Sequence, residues 1–232
     1  MARSQWRALL EWRGDPRQLL RSRRRTVKVH GLLRTGTNYV SALIGENFFV
    51  QILGPERGGW KHGPISDATG VVYVVVVKSP YTWVESFYNW ELLRGRTAAP
   101  TVTAFASAPV SHPQLAAAWD ARNPIDAWNK ATASWVEAQS THQVLVVRYE
   151  DVLADVGREL DRFRQRFATT RRHRSAVDIT SRVGPGWNSV GPVDRDRYVP
   201  GASGSLDEGL VSLLDARLDP ELMSLLRYRR EE

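Results

Sequence analysis

Three stretches of the chain combine residue types that hold anions or move protons. The first is "HGLLRTGTNYV" at 30–40, where two glycines bracket a loop that opens a helical pattern. Such a loop aims successive backbone N–H groups at one point, and a helix N-terminus there favours negative charge. Its glycine spacing is that of the nucleotide triphosphatase loop G-x-x-x-x-G-K-[ST], with two departures: Thr37 stands at the lysine position and Asn38 at the metal-binding hydroxyl. Metal-assisted triphosphate chemistry is therefore not expected. An ordinary strand-to-helix turn would also use Gly31 and Gly36, so the loop alone leaves both readings open. The second stretch is "KSPYTWVES" at 78–86: Lys78 leaves an apolar run, Ser79 and Pro80 start a helix, and Ser86 follows two turns along. A cation and a hydroxyl across such a corner can reach one phosphate. The aromatics Trp83, Phe87 and Trp90 on the same face equally fit plain core packing. The third is "GWKHG" at 59–63, where Lys61 adjoins His62, the residue type most often used as a general base.

These groups need a frame that brings them together. Four strand patterns fall at 26–30, 49–53, 71–77 and 143–148, with helical patterns between them long enough for crossover connections, which predicts a parallel sheet. The run "VVYVVVV" at 71–77 is apolar on both alternations, as a central strand buried on both faces requires. In open parallel sheets ligands bind beyond the carboxyl ends of the strands. There the chain carries Arg34 to Asn38, Lys61 and His62, Lys78, and the trio Arg148, Tyr149 and Glu150. A capping residue followed by proline marks helix starts at 15–16, 79–80, 123–124 and 219–220. The expected fold is α/β in three layers, of the P-loop type, with a central parallel sheet of about four or five strands flanked by helices. Residues 95–122 and 169–205 interrupt the pattern and read as long surface loops or a lid.

A chain of 232 residues with 42% apolar content suits one α/β domain over 26–232, preceded by a basic helical segment at 1–25. The net charge of +7 includes the block "RQLLRSRRR" at 17–25, which fits either a solvated helix face or an anionic surface. Aromatic-basic signatures of nucleic-acid modules are missing, so no nucleic-acid partner is expected. No apolar run approaches membrane-spanning length, and the arginine-rich start lacks a signal peptide's apolar stretch. With no cysteine, disulfides, thiolate catalysis and cysteine metal sites are excluded, which fits a cytoplasmic protein. The oligomeric state stays open, a homodimer included.

In order and spacing the motifs resemble those of sulfotransferases that use 3′-phosphoadenosine 5′-phosphosulfate (PAPS). "RTGTNY" at 34–39 resembles that family's 5′-phosphosulfate loop, "KSPYTWVES" its 3′-phosphate motif, and "VLVVRYEDVLAD" at 144–155 its later strand-and-helix segment. "LDPELMSLLRY" at 218–228 is similar to the close of many bacterial members. The resemblance implies that Arg34, Thr35, Gly36, Thr37 and Asn38 serve the 5′-phosphosulfate, with Arg34 and the loop N–H groups also stabilising the departing phosphate in catalysis, and that Lys78 and Ser86 hold the 3′-phosphate. Tyr39 stands at the adenine-stacking position, and Tyr149 falls in the same pocket. Lys78 replaces the family's usual arginine, a point charge for a bidentate grip. The family's K-x-H pair is here shortened to Lys61–His62; His62 is one candidate base with Lys61 as electrostatic helper, and Glu56 is the other. His30 reads as structural. A C-terminal R-x-G contact to the 3′-phosphate has a loose match at Arg182, with Arg195 and Arg197 as competitors. The implied reaction is metal-independent sulfuryl transfer to a hydroxyl of a small-molecule acceptor, with Trp60, Phe105 and Trp187 as candidate acceptor walls. The alternative is a non-catalytic nucleotide- or phosphate-binding protein of the same fold.

Overall fold

The computed structural model describes residues 25–54, 56–183, 189–192 and 207–228. The basic segment expected at 1–25 lies outside these except for Arg25, which opens the first strand. The central sheet has strands β1 (Arg25–His30), β2 (Val50–Ile52), β3 (Val71–Val77) and β4 (Val144–Arg148), in the order β2-β1-β3-β4 and all parallel. The predicted runs and the parallel pairing are thus observed, and β3 is interior. Helix α1 (Thr37–Asn47) joins β1 to β2. Between β3 and β4 lie α2 (Pro80–Leu93), α3 (Val102–Ser107), α4 (Pro113–Trp119) and α5 (Pro124–Glu137). After β4 come α6 (Tyr149–Ala154) and α7 (Val156–Phe167), an antiparallel pair β5 (Ser181–Val183) and β6 (Ser189–Pro192), then α8 (Glu208–Arg217) and α9 (Pro220–Leu225).

Alternation along β3 builds the layers. Val72, Val74 and Val76 face a core shared with Leu43 and Ile44 of α1 and Leu160 and Phe163 of α7. Tyr73, Val75 and Val77 face the opposite core, with Trp83 and Phe87 of α2, Trp128 of α5 and Leu210 of α8. A strand apolar on both faces is stable only between two such layers. Asn123 and Asp219 cap α5 and α9 as read from the sequence, Asn123 accepting from Asp126 N–H and Asp219 from Glu221 and Leu222 N–H, each cap followed by a first-position proline. Among the described residues no helix is long and apolar enough to cross a membrane.

The segment 95–122 departs from the reading of a long surface loop. It folds into α3 and α4, whose Phe105, Ala106, Leu115 and Trp119 enter the core. Two short helices with one or two apolar anchors each leave little periodicity, so alanine and proline content dominated the sequence signal. Phe105 is 1% exposed and packs against Phe87, which removes it as an acceptor wall.

Candidate active site at the carboxyl edge of the sheet

The loop after β1 is a built turn. Arg34 (φ 70°) and Gly36 (φ 86°) are both left-handed, the Thr35 hydroxyl donates to Leu32 O at 2.7 Å, and the Thr35 N–H reaches the same carbonyl at 3.3 Å. Thr35 is therefore spent on the turn. Gly36 is the N-cap of α1 and, having no side chain, makes no cap bond to the first-turn N–H groups, which lie at the start of the helix beside the loop. A β-carbon on Gly36 would fall 2.3 Å from Cε2 of Tyr149, and one on Gly31 would fall 2.5 Å from Val76 O. Both positions require glycine because of what surrounds them. Arg34 is exposed, Asn38 half-buried and Thr37 buried.

The Lys61–His62 segment docks onto this loop. Gly31 N–H donates to Lys61 O at 3.1 Å, His62 Nδ1 faces Gly31 O at 2.5 Å, and His30 Nδ1 faces Gly63 O at 3.2 Å. A carbonyl can only accept, so both histidines carry their proton on Nδ1. For His62 this leaves Nε2 as the basic nitrogen. Lys61 Nζ donates to Asn38 Oδ1 at 2.6 Å, which brings a cation from a neighbouring loop to the stretch whose own position 37 lacks one. Burial lowers the lysine's pKa, an effect that Glu56 opposes. Burial also pushes His62 down to about 3 and His30 to about 4. Glu56 itself is exposed.

Lys78 directly follows β3 and is 1% exposed. The Val77–Arg148 register sets it level with Tyr149, whose ring centroid is 5.9 Å from Nζ. The ring that blocks a side chain at Gly36 thus also lies beside Lys78. Ser86 lies half-buried on α2. Tyr39 is 4% exposed, meets Tyr149 edge-on at 6.3 Å and donates to Asp178 Oδ1 at 3.1 Å, so here it is a packing residue with no open face. Arg182 lies in β5, but its side chain falls outside the described ones, as do Trp187, Arg195 and Arg197.

Several groups and contacts escaped the sequence reading, among them the contacts of Trp60 and Trp83, which it names only as an acceptor wall and as a packing aromatic. Four tryptophans donate their indole N–H into site backbone: Trp83 to Leu33 O (2.7 Å), Trp119 to His62 O (2.8 Å), Trp135 to Gly63 O (3.2 Å) and Trp128 to Lys78 O (3.0 Å). Each has a buried ring and one polar handle, which suits it to pin a loop to a core. Trp60 is half-buried, edge-on to His62 at 5.2 Å and stacked on His112 at 5.9 Å. The most consequential is Lys28, mid-strand and 1% exposed, whose ammonium donates to Gly54 O, Arg57 O and Gly59 O at 2.8, 2.7 and 2.8 Å. Its only sequence signal is a lysine within a strand that should be buried on both faces.

Lys28 shapes the loop that delivers Glu56, Lys61 and His62. Lys28→Met removes the donor and its desolvation cost together, so global stability should change by only about 1–2 kcal/mol. Amides over 54–62 should nevertheless exchange at least about tenfold faster, because local opening no longer breaks three charge-assisted bonds. Hydrogen-exchange mass spectrometry checks this; unchanged protection there would show that the loop holds itself.

Compared with protein-family models and with curated proteins, the chain matches none.

Proposed function

We propose that the protein is a PAPS-dependent sulfotransferase that transfers the sulfuryl group to a hydroxyl of a small-molecule acceptor. One observation carries this reading: the Tyr149 ring lies against Gly36 of the loop after β1 and beside Lys78 at the end of the neighbouring strand, so two adjacent strand ends offer separate places for an anion. A nucleotide with phosphates at both the 5′ and 3′ positions needs two such places. Arg34 and the N–H groups of Gly36, Thr37 and Asn38 hold the 5′ side; Lys78 and Ser86 hold the 3′ side. The donor supplies an activated sulfuryl group on a phosphate leaving group. Arg34 with the loop N–H groups stabilises charge that develops on the departing phosphate oxygen, and Lys61, fixed to Asn38, assists electrostatically. His62 accepts the acceptor's proton at Nε2, since its Nδ1 proton is committed to Gly31 O. Its pKa of about 3 keeps it neutral at rest, and an anion bound alongside raises its basicity. Glu56, within electrostatic reach of Lys28 and Lys61, is the other candidate base. The cysteine-free composition fits a cytoplasmic setting, and the lack of aromatic-basic signatures and of a membrane-length apolar run in the sequence fits neither nucleic acid nor membrane as partner.

Calorimetric titration with 3′-phosphoadenosine 5′-phosphate in metal-free buffer tests the donor site. Wild type should bind, and a Lys78→Ala, Ser86→Ala double variant should lose about 100-fold, the worth of two charge-assisted bonds. Binding indifferent to both changes would overturn the reading. The burial of His62, at 7% exposure, favours one second reading, a nucleotide-binding protein of this fold without transfer activity. Sulfated product formed from donor and a mixture of hydroxylated acceptors, and lost in His62→Ala or Glu56→Gln, decides against it.

A further inference from the structure

The corner that carries Lys78 is held from an unexpected direction. Glu150 is buried, and its carboxylate is shared: Oε1 accepts from Ser79 N–H at 2.8 Å, and Oε2 accepts from the Tyr228 hydroxyl at 3.0 Å. Ser79 is the N-cap of α2 and makes no side-chain cap bond, so this carboxylate is what ties its N–H. Two residues on, the Tyr81 hydroxyl donates to Asp215 Oδ1 at 2.5 Å. Both links end on the segment 208–228: Asp215 lies in α8, and Tyr228 follows α9. Tyr228 is itself clamped, with the Arg148 guanidinium 4.6 Å from its ring centroid and Trp128 edge-on at 6.3 Å. Trp128 is the residue whose indole holds Lys78 O.

We propose that residues 208–228 form a positioning clasp on the Lys78–Tyr81 corner, in which Tyr228 and Tyr81 set the placement of Lys78 for a phosphate group of the ligand. The inference rests on the donor-site reading and adds to it the source of that site's geometry. Packing alone would not call for a carboxylate here, because burying one costs several kcal/mol unless donors meet it. Glu150 is met by a backbone N–H, a hydroxyl and the nearby Lys78 charge. Removal of the Tyr228 hydroxyl leaves Glu150 more readily protonated and its hold on Ser79 weaker, and the start of α2 is then free to shift relative to β3. The first consequence is misplacement of Lys78 against the 3′-phosphate, with the loop at 34–38 untouched.

The test compares 3′-phosphoadenosine 5′-phosphate with adenosine 5′-phosphate, titrated into wild type, Tyr228→Phe and Tyr81→Phe, with thermal unfolding alongside. Each variant removes one hydroxyl and no ring, so either suffices if the other folds poorly. The clasp predicts that the preference for the bisphosphate falls about tenfold in each variant, while affinity for the monophosphate stays within about twofold. An unchanged preference in both variants overturns the inference and leaves the donor site standing. Equal losses for both nucleotides, tracking a lower unfolding temperature, would mean ordinary packing and overturn it as well. A wild type with no preference would remove the donor-site reading itself, and the clasp with it.

Discussion

Gly36→Val should destabilise the protein by about 3–5 kcal/mol and abolish binding of the bisphosphate nucleotide. Two independent costs add. The backbone at Gly36 is left-handed, which costs an L-residue roughly 1–2 kcal/mol and a β-branched one more. The new β-carbon would also fall 2.3 and 2.5 Å from two ring carbons of Tyr149, and overpacking of this kind costs roughly 1–3 kcal/mol. For a domain of this size that corresponds to an unfolding temperature lower by about 10 °C. The Tyr149 ring cannot retreat freely, since it packs against Tyr39 on one side and Lys78 on the other. A double variant with Tyr149→Leu should recover the overlap cost and retain the backbone cost. Calorimetric unfolding of the three proteins checks this, and a Gly36→Val protein as stable as wild type would mean that the loop is not built as described.

Acid should unfold the protein unusually early, through two histidines that hold each other's loops. His30 and His62 are buried, each with Nδ1 on a carbonyl of the other's segment, and burial lowers them to about 4 and about 3. Unfolded, both titrate near 6.5. Between the folded and unfolded values the unfolded chain binds the additional protons, so stability rises with pH across this window and is lost as pH falls below 6.5. At pH 5 each histidine has withdrawn about 2 kcal/mol, together about 4, from a total stability of roughly 5–15 kcal/mol. The loss from His30 levels off near pH 4 and that from His62 near 3. Glu150 acts in the opposite sense, because burial raises its carboxyl, whereas His112, also lowered chiefly by burial, acts in the same sense as His30 and His62. Urea unfolding at pH 7.5, 6 and 5 measures the slope. His62→Asn, whose amide can still donate to Gly31 O, should halve it. Stability that is flat from pH 7.5 to 5 would show that neither imidazole is shielded from water.

Much of the frame was legible because its causes are local. The valine run of β3 has to be buried on both faces wherever it lies. Proline after a capping residue starts a helix through its own φ, and this placed α2, α5 and α9 correctly. The glycine bracket at 31 and 36 announced a tight loop, and the parallel pairing followed from the spacing of strands and helices. Alignment of the strands' carboxyl ends was then enough to bring Lys78 level with Tyr149.

The remainder was settled only by contacts between segments distant in the chain, for which a sequence carries no periodic signal. Lys28 reads as an oddity in a strand until the carbonyls of Gly54, Arg57 and Gly59 converge on it. Tyr39 has the type and position of a stacking aromatic, yet its hydroxyl finds Asp178 and its ring goes inside. Tryptophan content alone does not reveal that four indoles tie Leu33, His62, Gly63 and Lys78 to the core. By itself, then, the sequence determined which elements form and which polar groups they carry to one edge of the sheet, since φ preferences and hydrophobic periodicity act between near neighbours. The tertiary structure decided which of those groups are spent on holding the edge together and which still face outward, because a buried donor or acceptor must find a partner wherever the fold provides one.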